Sequence, residues 1–374
     1  MATTLHLSRE VKVYIEWDGQ IWEIPVLDGF SFSQATNTTE VTIKEMAASN
    51  VSRRGRSVFN DSLSPAEWSF STYARPTLIV DKHHAVEEVL WAMAVGAAAA
   101  DYPGDAPVQN DVGKDWTTSL ETTTSSLDIN FDSSNKLVFD DASIYFMFPA
   151  NDAGGSEADL WYKISGATVN EVSIEFDIDG ITTINWSGMG TTLTESAAIA
   201  ANSIRDKEIV TSHLVRTDNF IRNRLTTLTL TGADSGSILA SYAIVLTGGN
   251  ITITNNVEHA TPASLGVVNV PFGHTMGTRS VSGNFTCYLD NSGTASADLW
   301  QDLQASTSVT RNSFGLTFGV GGGSAPRMEV TCAKAMLEVP VHSVADVISM
   351  EVAFHGLGSD IGDTDEVLIK YVGN

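Results

Sequence analysis

Apolar and polar residues alternate with a period of two along most of this chain, which commits it to strands that bury one face and expose the other. Val11, Val13, Ile15 and Trp17 share one parity, Asp18-Gly19 makes a hairpin turn, and Trp22, Ile24 and Val26 resume the alternation beyond it. The device recurs where Val172, Ile174, Phe176 and Ile178 run into Asp179-Gly180 and return through Thr182, Ile184 and Trp186. The chain is therefore expected to be mainly β.

Helical spacing is scarce. Between Asp81 and Ala97, the residues Val86, Val89, Leu90 and Met93 form one apolar stripe, and between Ala297 and Ala305, Leu299, Trp300 and Leu303 share a face. These spacings predict two short helices packed on sheets. Residues 194–209 are alanine-rich with little apolar bulk and read as a connector. A length of 374 residues with 43% hydrophobic content suits two domains, each with a proper core. The expected division is 9–193, a connector at 194–209, and 210–374. Polar stretches at 46–64, 101–136 and 255–280 are too long for tight turns, and loops of this length are usually functional or become ordered against a partner. The middle one reads as a polar insertion in the first domain.

Charge narrows the function. With 45 acidic and 21 basic residues the formal charge is −24, which argues against a protein that wraps nucleic acid by neutralising phosphates. The near-apolar run from Val89 to Ala100 falls well short of the ~20 residues that cross a bilayer. The amino terminus, Met1-Ala-Thr-Thr-Leu-His, lacks the basic and apolar regions of a secretory signal, so synthesis and assembly in a cytoplasm are expected. Cys287 and Cys332 sit in alternating apolar segments and read as buried free thiols, with a disulfide as the alternative.

Candidate chemistry is thin. His83-His84-Ala-Val-Glu87-Glu88 offers His83 and Glu87 one helical turn apart, but further ligands are missing, and acidic residues at a helix start also serve the macrodipole. Asp360, Asp363, Asp365 and Glu366 lack the ligand spacing of a calcium loop and read as a solvated turn. Gly319-Val-Gly-Gly-Gly-Ser has no following lysine and lies between strands, so it is a loop and not a phosphate cradle. No nucleophile elbow, zinc-protease motif or triad context appears, and no catalytic, cofactor or metal residue is assigned. Two basic islands stand out: Arg53, Arg54 and Arg56 in the first long loop, and Arg216, Arg222 and Arg224 after the connector. Arginine pairs carboxylates bidentately, so these six residues are candidates for docking a second acidic copy of the same molecule, with incidental solvated charge as the plainer reading.

The two halves share a plan. In the first, Phe30-Ser-Phe-Ser leads through a long loop to Trp68-Ser-Phe-Ser-Thr-Tyr73, then a helix, then a strand pair ending Trp186-Ser-Gly-Met-Gly190. In the second, Ile251-Thr-Ile-Thr leads through a long loop to Asn284-Phe-Thr-Cys-Tyr288, then a helix, then a strand pair ending Phe354-His-Gly-Leu-Gly358. The order of elements suggests duplication of one sandwich-like unit of ~150–180 residues.

The segment from Val26-Leu-Asp-Gly-Phe-Ser-Phe-Ser to Thr42-Ile43 resembles the opening hairpin of bacteriophage major tail tube proteins. Ile251-Thr-Ile-Thr-Asn-Asn-Val-Glu258, Gly277-Thr-Arg-Ser-Val-Ser-Gly-Asn-Phe-Thr286 and the closing pair Leu337-Glu-Val-Pro340 with Asp346-Val-Ile-Ser-Met-Glu-Val-Ala-Phe354 extend the match. The resemblance implies two tandem tail-tube-type β-sandwich or barrel units, each with a short flanking helix, whose sheets join those of neighbours into a closed ring. It also implies rings stacked into a hollow tube, three two-domain chains making a pseudo-hexamer with six chains as the alternative, and long loops reaching the adjacent ring. Further implied partners are other tail proteins such as tape measure, terminator or sheath, with genomic DNA passing without tight binding. An anionic wall would repel phosphates. The place implied is the virion tail, assembled in the host cytoplasm.

Two other functions compete. A glycan-binding virion or surface module would use Trp17, Trp22, Trp68, Trp161, Trp186 and Trp300 for stacking, although most occupy core positions. A hydrolase would need acidic pairs such as Asp140-Asp141, whose side chains point to opposite faces of a strand.

Overall fold

The computed structural model describes residues 6–17, 20–41, 57–79, 81–96, 120–131, 142–150, 158–199, 216–232, 241–305, 313–344 and 346–374. The first half holds β1 (Lys12–Trp17), β2 (Gln20–Ile24), β3 (Ser31–Val41), β4 (Ser57–Tyr73), β5 (Pro76–Ile79), β6 (Lys82–Ala85), α1 (Glu88–Val95), β7 (Leu120–Thr122), β8 (Leu127–Asn130), β9 (Ala142–Phe148), β10 (Leu160–Asp177), β11 (Thr183–Gly190) and β12 (Thr192–Glu195). The second holds β13 (Thr227–Gly232), β14 (Tyr242–Ala243), β15 (Leu246–Thr254), β16 (Val257–Ala260), β17 (Gly273–Met276), β18 (Ser280–Tyr288), α2 (Ser296–Ala305), β19 (Phe314–Val320), β20 (Arg327–Leu337), β21 (Val341–Ser343), β22 (Ser349–Leu357) and β23 (Leu368–Val372). The protein is mainly β, as the alternation predicts.

Long strands change partners along their length, and this builds two layers. The first part of β10 lies between β9 and β12, and β9 continues through β1 to β2. The second part of β10 passes into another sheet, between β11 and β15. That sheet runs β3–β4–β11–β10–β15–β18–β22. The strand β20 pairs with β22 at one end and β23 at the other, and β19 joins it to β13. Among the described residues the pairings branch and never return on themselves, so the chain builds open antiparallel sheets and not a closed barrel.

One core runs through both halves. Phe32 stacks on Phe146 of the opposite layer with centroids 4.4 Å apart, and Phe318 of β19 lies against Phe176, Phe285 and Phe354 from three neighbouring strands. Burying a side chain of this size contributes about 1.5–3 kcal/mol. The halves also exchange strands, because β8 of the first half pairs with β23 at the carboxyl end.

Several expectations are corrected. The first helix is α1, shorter than the 81–97 span and buried on every side where a single stripe was expected. Its start is delayed because Asp81, with φ +64°, turns β5 back into β6, which places His83 and His84 on a strand. His83 and Glu87 therefore do not share a helix face; His84 meets Glu88 instead, at 3.1 Å. Residues 57–64, expected in a loop, belong to β4, and the 101–136 and 255–280 stretches contain the hairpins β7–β8 and β16–β17. The second helix, α2, follows its spacing closely. Thr194 and Glu195 of the expected connector close β12, and the rest of it beyond residue 199 lies outside the described residues, as does Asp140-Asp141.

A helix buried on all sides needs its polar groups satisfied internally. Gly96, at φ +73°, caps its end in the left-handed region, and Asn255 Nδ2 donates to the Ala94 carbonyl at 2.9 Å. Trp91 Nε1 donates to the Tyr371 hydroxyl at 2.9 Å, and its ring meets Trp186 edge-on at 4.9 Å. Gly373 N donates to His83 Nδ1 at 2.9 Å, which fastens the carboxyl terminus to the β5–β6 hairpin. Glu87 Oε1 accepts from Arg75 N at 3.3 Å, and burial pushes this carboxyl up to about 7 against the lowering pull of backbone N–H groups and the Arg75 guanidinium.

A carboxyl raised in the folded state keeps a proton that the unfolded chain gives up, so its stabilising share is present below about pH 4.5 and lost as pH rises through about 7. At roughly 1.4 kcal/mol per pKa unit this is on the order of 3 kcal/mol. Urea unfolding of wild type and Glu87→Gln at pH 4.5 and 8 is expected to show the variant gaining by about that amount at the higher pH relative to the lower.

Candidate functional site

The seven strands from β3 to β22 present one face to the core and leave the other open. Core-side residues follow the predicted parity: Trp68 and Phe70, Ile184 and Trp186, Val172 and Ile174, Ile251 and Ile253, Val281 and Phe285, and Val352 and Phe354 are all buried. The opposite parity makes a carpet of small polar groups. Ser31 bonds Ser69 across β3 and β4 at 2.8 Å; Ser71 donates to Asn185 at 2.6 Å, and Asn185 Nδ2 donates to Glu175 at 3.0 Å. Thr252 donates to Ser173 at 3.4 Å across β15 and β10, and Asn284 Nδ2 donates to Glu351 at 2.9 Å across β18 and β22.

Its charge is one-sided. Glu67, Glu171, Glu175, Asp177 and Glu351 stand on this parity, while the described residues of these strands place no arginine there. At the margin Lys334 Nζ donates to the Ser359 carbonyl at 3.4 Å, and His355 lies 3.2 Å from Glu338. Carboxylates spread over an extended surface repel phosphate groups.

The joint between the halves lies in the middle of this sheet. Seven residue pairs, from Glu171 opposite Thr254 to Asp177 opposite Gly248, unite β10 with β15. The strand order β3–β4–β11–β10 on one side of the joint is matched by β15–β18–β22–β20 on the other. Registers match too. Phe32 opposite Trp68 corresponds to Ile253 opposite Val281, Trp186 opposite Phe70 to Phe354 opposite Gly283, and Val172 opposite Trp186 to Leu337 opposite Phe354.

Of the six arginines of the sequence analysis, the structure describes three. Arg53, Arg54 and Arg56 lie outside the described residues. Arg216 binds Asp218 through two bonds of 2.8 and 2.9 Å and reaches the Asn374 carbonyl at 3.2 Å, so its fork is engaged within the chain. Arg222 is exposed, and Arg224, also exposed, pairs with Asp179 at 3.0 Å. A cleft of about 590 Å³ lies between residues 276–279 and the 357–366 turn. Its Arg279 is held by Asn255 at 3.2 Å and the Phe131 carbonyl at 2.9 Å, and Asp365 binds Ser359 N at 2.8 Å. Arg279 is thus committed to segments beside the cleft and Asp365 to the turn itself. Among the described residues no group of three or more His, Cys, Asp or Glu side chains is arranged to hold a metal. Cys287 and Cys332 are free and buried, and burial pushes both thiols up to about 12. Of the tryptophans proposed for stacking, Trp17, Trp22, Trp68, Trp161 and Trp186 are buried.

The open-face carboxylates were not singled out from sequence, although their parity opposite Val172, Ile174 and Phe176 was visible there. Close packing beneath the sheet is also specific: a Cβ on Gly283 would meet the Asn250 carbonyl at 2.2 Å and the Phe354 ring at 2.7 Å. A backbone carbonyl in a ladder cannot withdraw, so Gly283→Ala is expected to destabilise the fold by about 1–3 kcal/mol in urea unfolding.

A family model described as phage tail tube protein matches residues 88–356. The chain is also 28% identical over 353 residues to the tail tube protein pb6 of Escherichia phage T5, an alignment covering 92% of this chain and 69% of that protein.

Proposed function

Because this chain belongs to the phage tail tube protein family, and is thus a structural component of the virion tail that assembles with its own copies and with other tail proteins, we propose that its continuous sheet is the wall of a channel for phage DNA. The observation that carries this reading is the β10–β15 joint, where the two halves already make the head-to-tail sheet contact that a ring repeats. Each half is taken as one copy of a duplicated unit, so three chains make a pseudo-hexameric ring, and rings stack into a tube. A ring of six chains is the alternative. The open polar face is turned to the channel, where its carboxylates keep duplex DNA from sticking.

Two segments are suited to contact the next ring. One is the segment bearing Arg53, Arg54 and Arg56; the other is the β16–β17 hairpin, whose connection exposes Leu265, Val267, Val268 and Phe272. The base of that connection is fixed, since Leu63 N donates to the Asn269 carbonyl at 2.8 Å and Asn269 N to the Asp61 carbonyl at 3.1 Å. Tape measure, terminator or sheath proteins are the further partners at tube ends and surface, and assembly takes place in the host cytoplasm.

Negative-stain electron microscopy of the purified chain is expected to show hollow rings or tubes with three chains per ring; compact monomers under all salt conditions would overturn the proposal. Changing Glu171, Glu175 and Asp177 together to Lys is expected to leave tubes intact but to raise co-sedimentation of short duplex DNA about tenfold at low salt, an effect that added salt removes. Charge reversal of Arg53, Arg54 and Arg56 to Glu is expected to shorten or abolish tubes seen by microscopy; tubes of unchanged length would remove the basic loop from the stacking contact.

A further inference from the structure

The long hairpin of the second half does not stay over its own half. Leu63 N of β4 donates to the Asn269 carbonyl at 2.8 Å, Asn269 N donates to the Asp61 carbonyl at 3.1 Å, and Thr261 Oγ1 donates to the Leu63 carbonyl at 3.5 Å. The β16–β17 connection thus lies on β4 of the first half, across β10 and β11 from the strand it leaves.

The register locates the matching surface in the second half. From Phe32 opposite Trp68 to Thr36 opposite Leu63, four steps along β3 face five along β4; from Ile253 opposite Val281 to Val257 opposite Met276, four steps again face five. Leu63 therefore corresponds to Met276. The counterpart of the β16–β17 connection is the segment joining β3 to β4, residues 42–56, which carries Arg53, Arg54 and Arg56.

The surroundings of Met276 differ from those of Leu63. Gly190 and Gly358 match, but Thr191 alone separates Gly190 from β12, whereas residues 359–367 separate Gly358 from β23. This longer turn makes one wall of the cleft of about 590 Å³, and residues 276–279 make the other. Asp365 is engaged by Ser359, and Glu366 lies 3.9 Å from Arg279. Asp360 and Asp363 are exposed, and among the described residues their carboxylates bond no donor; Ile361 between them and Leu357 beside them are exposed as well. Carboxylates next to apolar side chains suit an arginine, whose stem packs while its fork pairs. The internal crossing shows the converse: residues 261–272 carry no charge, and the place where they lie has no acidic turn.

We propose that the Arg53–Arg56 segment of one copy docks in the cleft between residues 276–279 and the 358–366 turn of the copy beside it, with its guanidiniums on Asp360 and Asp363. This rests on the tube reading, and it repeats between chains the hairpin crossing that the two halves make within one. The docking is by charge, at the end of the sheet from which both hairpins project, and is separate from the backbone joining of the sheets.

Charge exchange tests the pairing, with the chain concentration at which half the protein pellets as tubes as the readout. Asp360→Lys with Asp363→Lys is expected to raise that concentration about tenfold at low salt and less at high salt, because exposed charges are screened. Adding Arg53→Glu, Arg54→Glu and Arg56→Glu to the same chain is expected to bring it back to within about threefold of wild type, since each reversed charge again meets its opposite. A second measurement needs no charge reversal: tubes of the Arg54→Cys, Asp363→Cys variant, once oxidised, are expected to run as covalent multimers on a non-reducing gel and to collapse to single chains with reductant. The native thiols of Cys287 and Cys332 are buried and do not compete. Wild-type tubes together with a combined variant that assembles no better than the lysine variant, or cysteines that link only within one chain, would overturn the docking and leave the tube standing. Wild-type chains that give no ring or tube would overturn both readings.

Discussion

The backbone ladder between β10 and β15 is the contact on which the rest of the architecture depends. It converts two half-chains into one sheet and aligns their core faces, so that Phe318, from a layer below, touches strands of both halves at once. A backbone ladder is the natural joint for such a molecule because its bonds are indifferent to side-chain identity, while alternate side chains fix the register by burial. Slipping β15 by one residue would turn Ile251 and Ile253 outward and bring Asn250 and Thr252 into the core. The register that unites the halves is thus enforced by the hydrophobic effect even though the bonds themselves are polar.

The buried helix and the carboxyl-terminal strand serve the same joint from beneath. α1 comes from the first half, yet its ring contacts are Trp186 of the first half and Tyr371 of the last strand, and the Ala94 carbonyl in its last turn is met by Asn255 just after β15. Removing either half would strip this helix of partners on one side. Such interlocking, reinforced by the β8–β23 pair, gives the two halves one shared core. The raised Glu87 carboxyl is part of the same arrangement: a group whose neutral form is favoured by burial is tolerated among Arg75, Tyr371 and the helix start because it adds little charge to the core.

The parity of the strands was legible in the sequence, and with it the division of residues between core and open face. Val172, Ile174 and Phe176 point one way in the chain's own alternation, and the structure keeps them there. The α2 helix was legible for the same reason, since Leu299 and Leu303 sit on one face of an otherwise polar segment. What alternation does not encode is lateral order. Nothing in β10 alone says that its first part pairs with β9 and its second with β15, because either neighbour satisfies the same pattern. The α1 error has a related origin: His83, His84 and Ala85 are short of the bulk that separates a buried strand from a helix, and the deciding feature is a positive φ at Asp81, which a polar residue adopts without announcing it. The site was half legible, as parity without adjacency. The arginine candidates came from composition, which is blind to whether a guanidinium is already engaged, as Arg216 is.

Strand order places five of the 45 acidic residues, Glu67, Glu171, Glu175, Asp177 and Glu351, on the open face, among Ser, Thr and Asn side chains that bond to one another across strands. Groups already satisfied laterally have few free donors for a passing phosphate, and the carboxylates add repulsion over a Debye length of about 8 Å at physiological salt. Repulsion from every side of a closed wall centres a polyanion, whereas repulsion from one open sheet merely drives it away. In the proposed tube, the same surface works as a conduit only where the sheet closes on copies of itself.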